Sequence, residues 1–236
     1  MPVVLWLWLA FCQLSIAARE DLTVQEQYDL GVKYMNRGYY VKALEQFNRI
    51  RNYYRDDPLA VEAELAIADV YFKKTEWDQA RLAYQDFMRM HPSHQRLDYV
   101  VYQVGNSVYR KAPKVSARDQ VWTRQAVNAW TGFEQRFPES DHLEEVMGML
   151  VECRERLARK ELLIARFYAS PNRRAWPAVE DRVEGLMHSY PDSQYVPEAL
   201  ELLVVSLREQ GRSEEAARSL VRLAELAPER ASRLED

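Results

Sequence analysis

Residues 30–50 read LGVKYMNRGYYVKALEQFNRI. Leu30, Gly31 and Tyr34 fall at helical spacing. Gly38 and Tyr40 mark a turn, and Ala43, Phe47 and Ile50 fall at helical spacing again. Small residues let two helical backbones come close where they cross, and an aromatic fills the adjacent gap. The stretch therefore predicts a pair of antiparallel helices. A second copy carries Ala68, Tyr71, Trp77, Ala80, Tyr84 and Phe87 and closes on Pro92. It is offset by a short insertion around Asp56, Asp57 and Pro58. In a third, Gly105 marks the first helix, and Ala126, Trp130, Phe133 and Pro138 mark the second. Between them residues 110–118, RKAPKVSAR, read as a loop. A fourth has Gly148, a helical run to about Ala169, then Trp176, Val183, Leu186 and Pro191. A fifth has Gly211, Ala216, Leu220, Leu223 and Pro228. The closing prolines end each second helix because proline cannot continue it.

This is the 34-residue tetratricopeptide (TPR) pattern. One such hairpin cannot bury its apolar face alone, whereas stacked hairpins share a continuous core. The predicted fold is an all-α, right-handed solenoid of about five TPR hairpins. An N-terminal half spans 22–109, a loop spans 110–118 and a C-terminal half spans 119–236. No strand is predicted: even the apolar residues 196–207 read at helical period.

Composition agrees. Of 236 residues, 47% are apolar and 29% charged, which makes a globular chain, and only 7 are glycine. Scarce glycine argues against a dinucleotide-binding fold or a glycine-turned β-sandwich. A net charge of −4 is no nucleic-acid footprint. Two cysteines, Cys12 and Cys153, make no disulfide scaffold.

Residues 3–12 form an unbroken apolar run, VVLWLWLAFC. A bilayer-spanning helix needs about 20 residues, so the run suits the core of an export signal instead. Two cleavage readings stay open. Leu9, Ala10, Phe11 and Cys12 resemble a lipobox, in which Cys12 is lipidated; bulky Phe11 departs from it. Ser15, Ile16, Ala17 and Ala18 alternatively offer an ordinary cleavage site, giving a signal peptide of 1–18.

Catalytic constellations are missing. There is no phosphate loop, dinucleotide fingerprint, zinc-protease motif or nucleophile elbow. His91 and His94 flank a turn with no third ligand type nearby. Cys153 reads as a packed thiol and the charged run 154–161 as a solvated helix face. The reading is a non-enzyme with no cofactor, metal or nucleic-acid partner.

In a TPR solenoid the first helices line a concave groove. Counting from the small residue of each repeat, the groove positions are Gln25, Tyr28, Val32 and Met35, then Glu62, Leu65, Asp69 and Phe72, then Tyr99, Tyr102, Asn106 and Tyr109. Such an aromatic surface suits a peptide with large apolar side chains. Packing between neighbouring repeats is the other use of these tyrosines.

Four segments carry a resemblance to a known family. They are His91-Pro92-Ser93-His94 with Leu97, Asp98, Tyr99, Tyr102 and Gly105; Arg118-Asp119, 126–133 and Arg136-Phe137-Pro138-Glu139-Ser140; 154–168 with Arg156-Leu157-Ala158 and Phe167-Tyr168; and 176–193 with Arg182-Val183-Glu184-Gly185 and Tyr190-Pro191-Asp192-Ser193. Over about 26–225 the chain resembles the BamD family of outer-membrane protein assembly factors, lipoproteins of the Gram-negative barrel-assembly machine. The resemblance implies an N-terminal lipid on Cys12 and the periplasmic face of the outer membrane. It implies binding to the Omp85-type barrel BamA, with Arg182 as the contact, and company with other Bam lipoproteins. It also implies that the N-terminal repeats receive C-terminal β-signals of unfolded outer-membrane proteins. Residues 170–174 look like an insertion relative to the family, and Pro177 sets a helix start at Trp176. Another exported TPR adaptor of the cell envelope, soluble in the periplasm, is the alternative.

Overall fold

The computed structural model describes residues 22–234. Among them it has twelve helices and no strand. The described chain falls into two compact units that divide between Glu76 and Trp77.

The first unit holds α1 (Val24–Asn36), α2 (Tyr40–Tyr53) and α3 (Pro58–Lys73). Thr23 opens α1 with a capping box: its hydroxyl accepts from the Glu26 N–H, and the Glu26 carboxylate accepts from the Thr23 N–H. Asp57 caps α3, with Pro58 preset at the first helical position. Gly31 is where α1 and α2 cross. A Cβ there would stand 2.7 Å from the Phe47 ring, inside contact distance. Ala43, Phe47 and Ile50 of α2 pack with Ala60, Ala63, Ala66, Ile67 and Val70 of α3 in one core.

The chain leaves α1 through Gly38, at φ 76°, and α3 through Thr75, at φ 63°. A β-branched residue is strained in that left-handed region; glycine is not. We therefore expect Thr75→Gly to raise stability by about 1 kcal/mol, read as a later urea midpoint with unchanged slope. An earlier midpoint would show that the turn gains more from the threonine side chain than it loses to strain.

The second unit runs α4 (Trp77–Met90), α5 (Leu97–Tyr109), α6 (Val121–Trp130), α7 (Phe133–Arg136), α8 (Leu143–Ala169), α9 (Trp176–Ser189), α10 (Val196–Glu209), α11 (Ser213–Leu226) and α12 (Pro228–Ser232). Consecutive long helices pack on one another, as the hairpin pattern requires. Helix α9 starts at Trp176 with Pro177 in its first turn, as the sequence indicated. Gly105 of α5 lies against the Trp130 indole of α6.

Three expectations need correction. The predicted helix through Ala126, Trp130 and Phe133 is broken. Gly132, at φ 76°, takes the left-handed conformation, and α7 restarts at Phe133. The break lets Trp130 and Phe133 both enter the core beneath α8. Gly148, read as a crossing residue, is exposed, and nothing lies within 4 Å of a Cβ built on it. The run 154–161 is not a solvated face either: Arg156, Leu157 and Ala158 are buried in it.

The last two corrections share one cause. Helix α8 has 27 residues and belongs to two hairpins. Its first half lays Val146, Leu150 and Cys153 on Ala126, Trp130 and Phe133. Its second half lays Ala158, Leu162 and Ala165 on Val179, Val183 and Leu186 of α9. Ala158 and Ala165, both wholly buried, are the small residues of the fourth hairpin.

Candidate interaction surfaces

Helix α5 is rich in tyrosine, and α8 receives two of its phenols. Tyr102 donates its hydroxyl to the Glu145 carboxylate at 3.0 Å, and Tyr109 donates to Glu152 at 2.5 Å. The Tyr102 ring stacks on His142, centroids 4.5 Å apart and planes within 2°. Asn106 is buried and donates to the Tyr102 hydroxyl at 3.2 Å and to the Gln103 amide oxygen at 3.3 Å. Tyr102 and Asn106 therefore lie inside the packing of α5 on its neighbours. Tyr99 is only half-buried, takes a hydrogen bond from Gln103, and has the Arg96 guanidinium 4.7 Å over its ring.

Burial, reinforced by the neighbouring carboxylates, pushes the phenols of Tyr102 and Tyr109 up to about 12. The folded state thus holds both protonated. Their stabilisation is complete below the ordinary tyrosine value of about 10 and is lost as pH rises through about 12. We expect stability to fall across that alkaline window, and Tyr102→Phe to remove one late step from the tyrosinate absorbance titration. A titration with every phenol ionising near its ordinary value would contradict this geometry.

The other groove residues belong to the first unit. Tyr28 is half-buried, its ring 5.5 Å from that of Phe47. Leu65 is buried, and Asp69 and Phe72 are half-buried. Gln25 is exposed, and Val32, Met35 and Glu62 are intermediate.

A cleft of about 420 Å³ opens between the turn at Ser93–His94 and the turn at 137–140. Asp98, Arg136, Phe137 and Ser140 line it. The serine is part of a recurrent device that pattern reading missed. Phe137-Pro138-Glu139-Ser140 and Tyr190-Pro191-Asp192-Ser193 are equivalent turns. In the first, Ser140 Oγ accepts from the His142 N–H and donates to Asp98 at 2.7 Å. In the second, Ser193 Oγ accepts from the Tyr195 N–H and donates to Glu155 at 3.0 Å. Each turn is thereby tied to a carboxylate on the first helix of the preceding hairpin. The signal was the repeated aromatic-Pro-x-Ser string. In the turn after α4, His94 Nδ1 takes the serine's local place by accepting from the Arg96 N–H.

Arg182 lies on α9 with its side chain 39% exposed, and its Nη1 is 3.2 Å from Glu161 of α8. A guanidinium has five donors in a fork, so one contact to Glu161 leaves donors for a second carboxylate. Cys12 lies outside the described residues. Cys153 is wholly buried, and burial pushes its thiol up to about 11, away from the reactive thiolate. Both His91 and His94 pack on the Phe87 ring. Among the described residues no group of three or more His, Cys, Asp and Glu could hold a metal ion. No described helix is long and apolar enough to cross a membrane.

Tandem helical hairpins define an all-α TPR-type repeat protein. The chain belongs to the YfiO family, described as outer membrane lipoprotein, which matches residues 20–223. Among its relatives is the outer membrane protein assembly factor BamD of Neisseria meningitidis, 27% identical over 84% of this chain and 77% of that one. The factor of the same name from Pasteurella multocida is 26% identical over 85% of this chain and 80% of that one. A solved thermophilic TPR protein of Thermus thermophilus is 19% identical, with a TM-score of 0.38, covering 88% of this chain and 93% of that one.

Proposed function

We propose that this protein is a non-enzymatic assembly factor for outer-membrane proteins. It scaffolds the Omp85-type barrel BamA and receives C-terminal β-signals of unfolded barrels. The observation that carries the reading is the family match over 20–223, which spans both units. The names of the relatives point the same way. A repeat fold adds physical sense, because stacked hairpins offer extended surfaces on which several segments can dock at once. Lipid on Cys12 would hold the chain at the periplasmic face, beside other Bam lipoproteins.

Two places on the structure suit these roles. Arg182 has spare donors for a carboxylate of BamA, beside its existing Glu161 partner. For the β-signal, the first unit offers the half-buried Tyr28, Asp69 and Phe72 around the buried Leu65, and the second unit offers the half-buried Tyr99, whose neighbours Tyr102 and Asn106 hold α5 in place. Aromatic side chains give such recognition large contact area at little entropic cost.

The test is purification of the tagged full-length protein from Gram-negative membranes. A barrel of the Omp85 type in stoichiometric yield is the expected outcome. A soluble periplasmic protein without that barrel would instead favour an exported adaptor cleaved near Ala18.

A further inference from the structure

The connection between α5 and α6 is long for a compact domain, yet side chains fix it from within. Gln120, wholly buried, donates to the carbonyls of Val115 at 2.9 Å and Arg118 at 3.3 Å. Arg156, 8% exposed on α8, donates to the Pro113 carbonyl at 3.2 Å. Ser116 is buried as well. Spanning 110–120, the connection is about twice the median length of such segments.

What the loop presents is positive charge. Residues 110–118 hold Arg110, Lys111, Lys114 and Arg118 and no acidic residue, in a chain whose net charge is −4. Lys111 is neutralised by Asp78 at 2.7 Å. Asp119 is shared between Arg124 at 3.7 Å and Lys160 at 4.0 Å. Lys114 and Arg118 are exposed and have no carboxylate partner among the described residues. A loop backbone already held in place forfeits little loop entropy when a counter-charge arrives, so the two cations are presented to an anion-bearing ligand from a preorganised backbone.

We propose that this loop, with Lys114 and Arg118 at its tip, docks an acidic polypeptide segment of a partner protein. Charge complementarity selects that occupant over a lipid surface. Membrane-binding tips pair cations with outward aromatic or aliphatic anchors. Here Val115 is the one exposed large apolar residue within 110–118, and the Trp122 ring is covered by Lys111 at 3.4 Å. The proposal stands on the charge geometry of the second unit and does not depend on the assembly role.

The experiment titrates a fluorescent deca-glutamate peptide into the full-length protein in detergent. Binding should weaken at least tenfold as salt rises from low to physiological strength, because exposed charges are screened over about 10 Å. Lys114→Glu with Arg118→Glu should weaken it at least tenfold more. Lys33→Glu with Arg37→Glu, the same charge change on the first unit, should leave it within twofold. Lys114→Gln with Arg118→Gln serves as the variant pair if the glutamates disturb folding. Equal losses from the loop and control pairs would overturn the proposal, as would absence of peptide binding by the parent. Vesicles of phosphatidylethanolamine with phosphatidylglycerol form the second arm. Loss of vesicle binding in the loop pair with peptide binding unchanged would overturn it in favour of a lipid surface.

Discussion

Gly105→Ala is expected to lower the unfolding free energy by about 3 kcal/mol. A Cβ at that position would stand 2.7 Å from Trp130 Cδ1 and nearer still to Nε1 and Cε2. The indole cannot retreat: it is wholly buried, and its N–H donates to the Tyr102 carbonyl at 3.1 Å. Moving the ring would cost that hydrogen bond as well as core contacts. Gly148→Ala is the control. Its new methyl meets nothing within 4 Å, and alanine is the better helix former, so stability should rise by roughly 0.5–1 kcal/mol. Urea unfolding followed by tryptophan fluorescence reads both. Matching changes in the two variants would show that helix propensity, and not the close crossing, governs these glycines.

On the proposed binding to a BamA-type barrel, Arg182→Glu is expected to weaken that binding by about 2–5 kcal/mol, the range for losing one partner of a buried charge pair. The substitution also sets a second carboxylate opposite Glu161, so fold and contact must be separated. Glu161→Gln does this. It removes the internal partner and keeps the guanidinium. If Arg182 reaches the barrel, Glu161→Gln should leave copurification intact while Arg182→Glu abolishes it. Equal behaviour of the two variants, with helicity retained, would reduce Arg182 to an internal brace between α8 and α9. Because the pair is more than a third exposed on the arginine side, its loss alone should cost the fold less than about 1 kcal/mol.

How legible all this was depended on whether the determinant is local. Gly31 with Phe47, and Gly105 with Trp130, could be read from spacing, because a close crossing needs a small residue and an aromatic at fixed offsets. The end of α8 near Ala169 and the start of α9 at Trp176 were legible, the second of them from Pro177. Gly148 misled because an exposed helix position tolerates glycine at a cost of only about 0.5–1 kcal/mol, so the letter alone does not mark a crossing. Arg156 misled because a run of alternating charge reads as solvated until a second layer is known to cover it. Among the site residues, Tyr102 and Asn106 matched groove positions by count. The partners of Tyr102, Glu145 and His142, lie about forty residues onward, and local periodicity has no information at that range. The serine ties of the two turns were hidden for the same reason: each joins residues 42 or 38 apart.

Helix α8 gives the molecule an angular phase that must be kept. An α-helix advances by about 100° per residue, so one residue inserted near Cys153 would rotate Ala158, Leu162 and Ala165 by that angle relative to Val146 and Leu150. The second half would then turn its small residues away from α9 while the first half stayed seated on Trp130. Insertions of seven residues nearly restore the angle but lengthen the helix by about 10 Å. A loop between hairpins absorbs a gained or lost residue by bending; a shared helix cannot. In this chain, then, variation in length is free to accumulate in the connections, whereas α8 works as a gauge bar that sets two hairpins in register with each other.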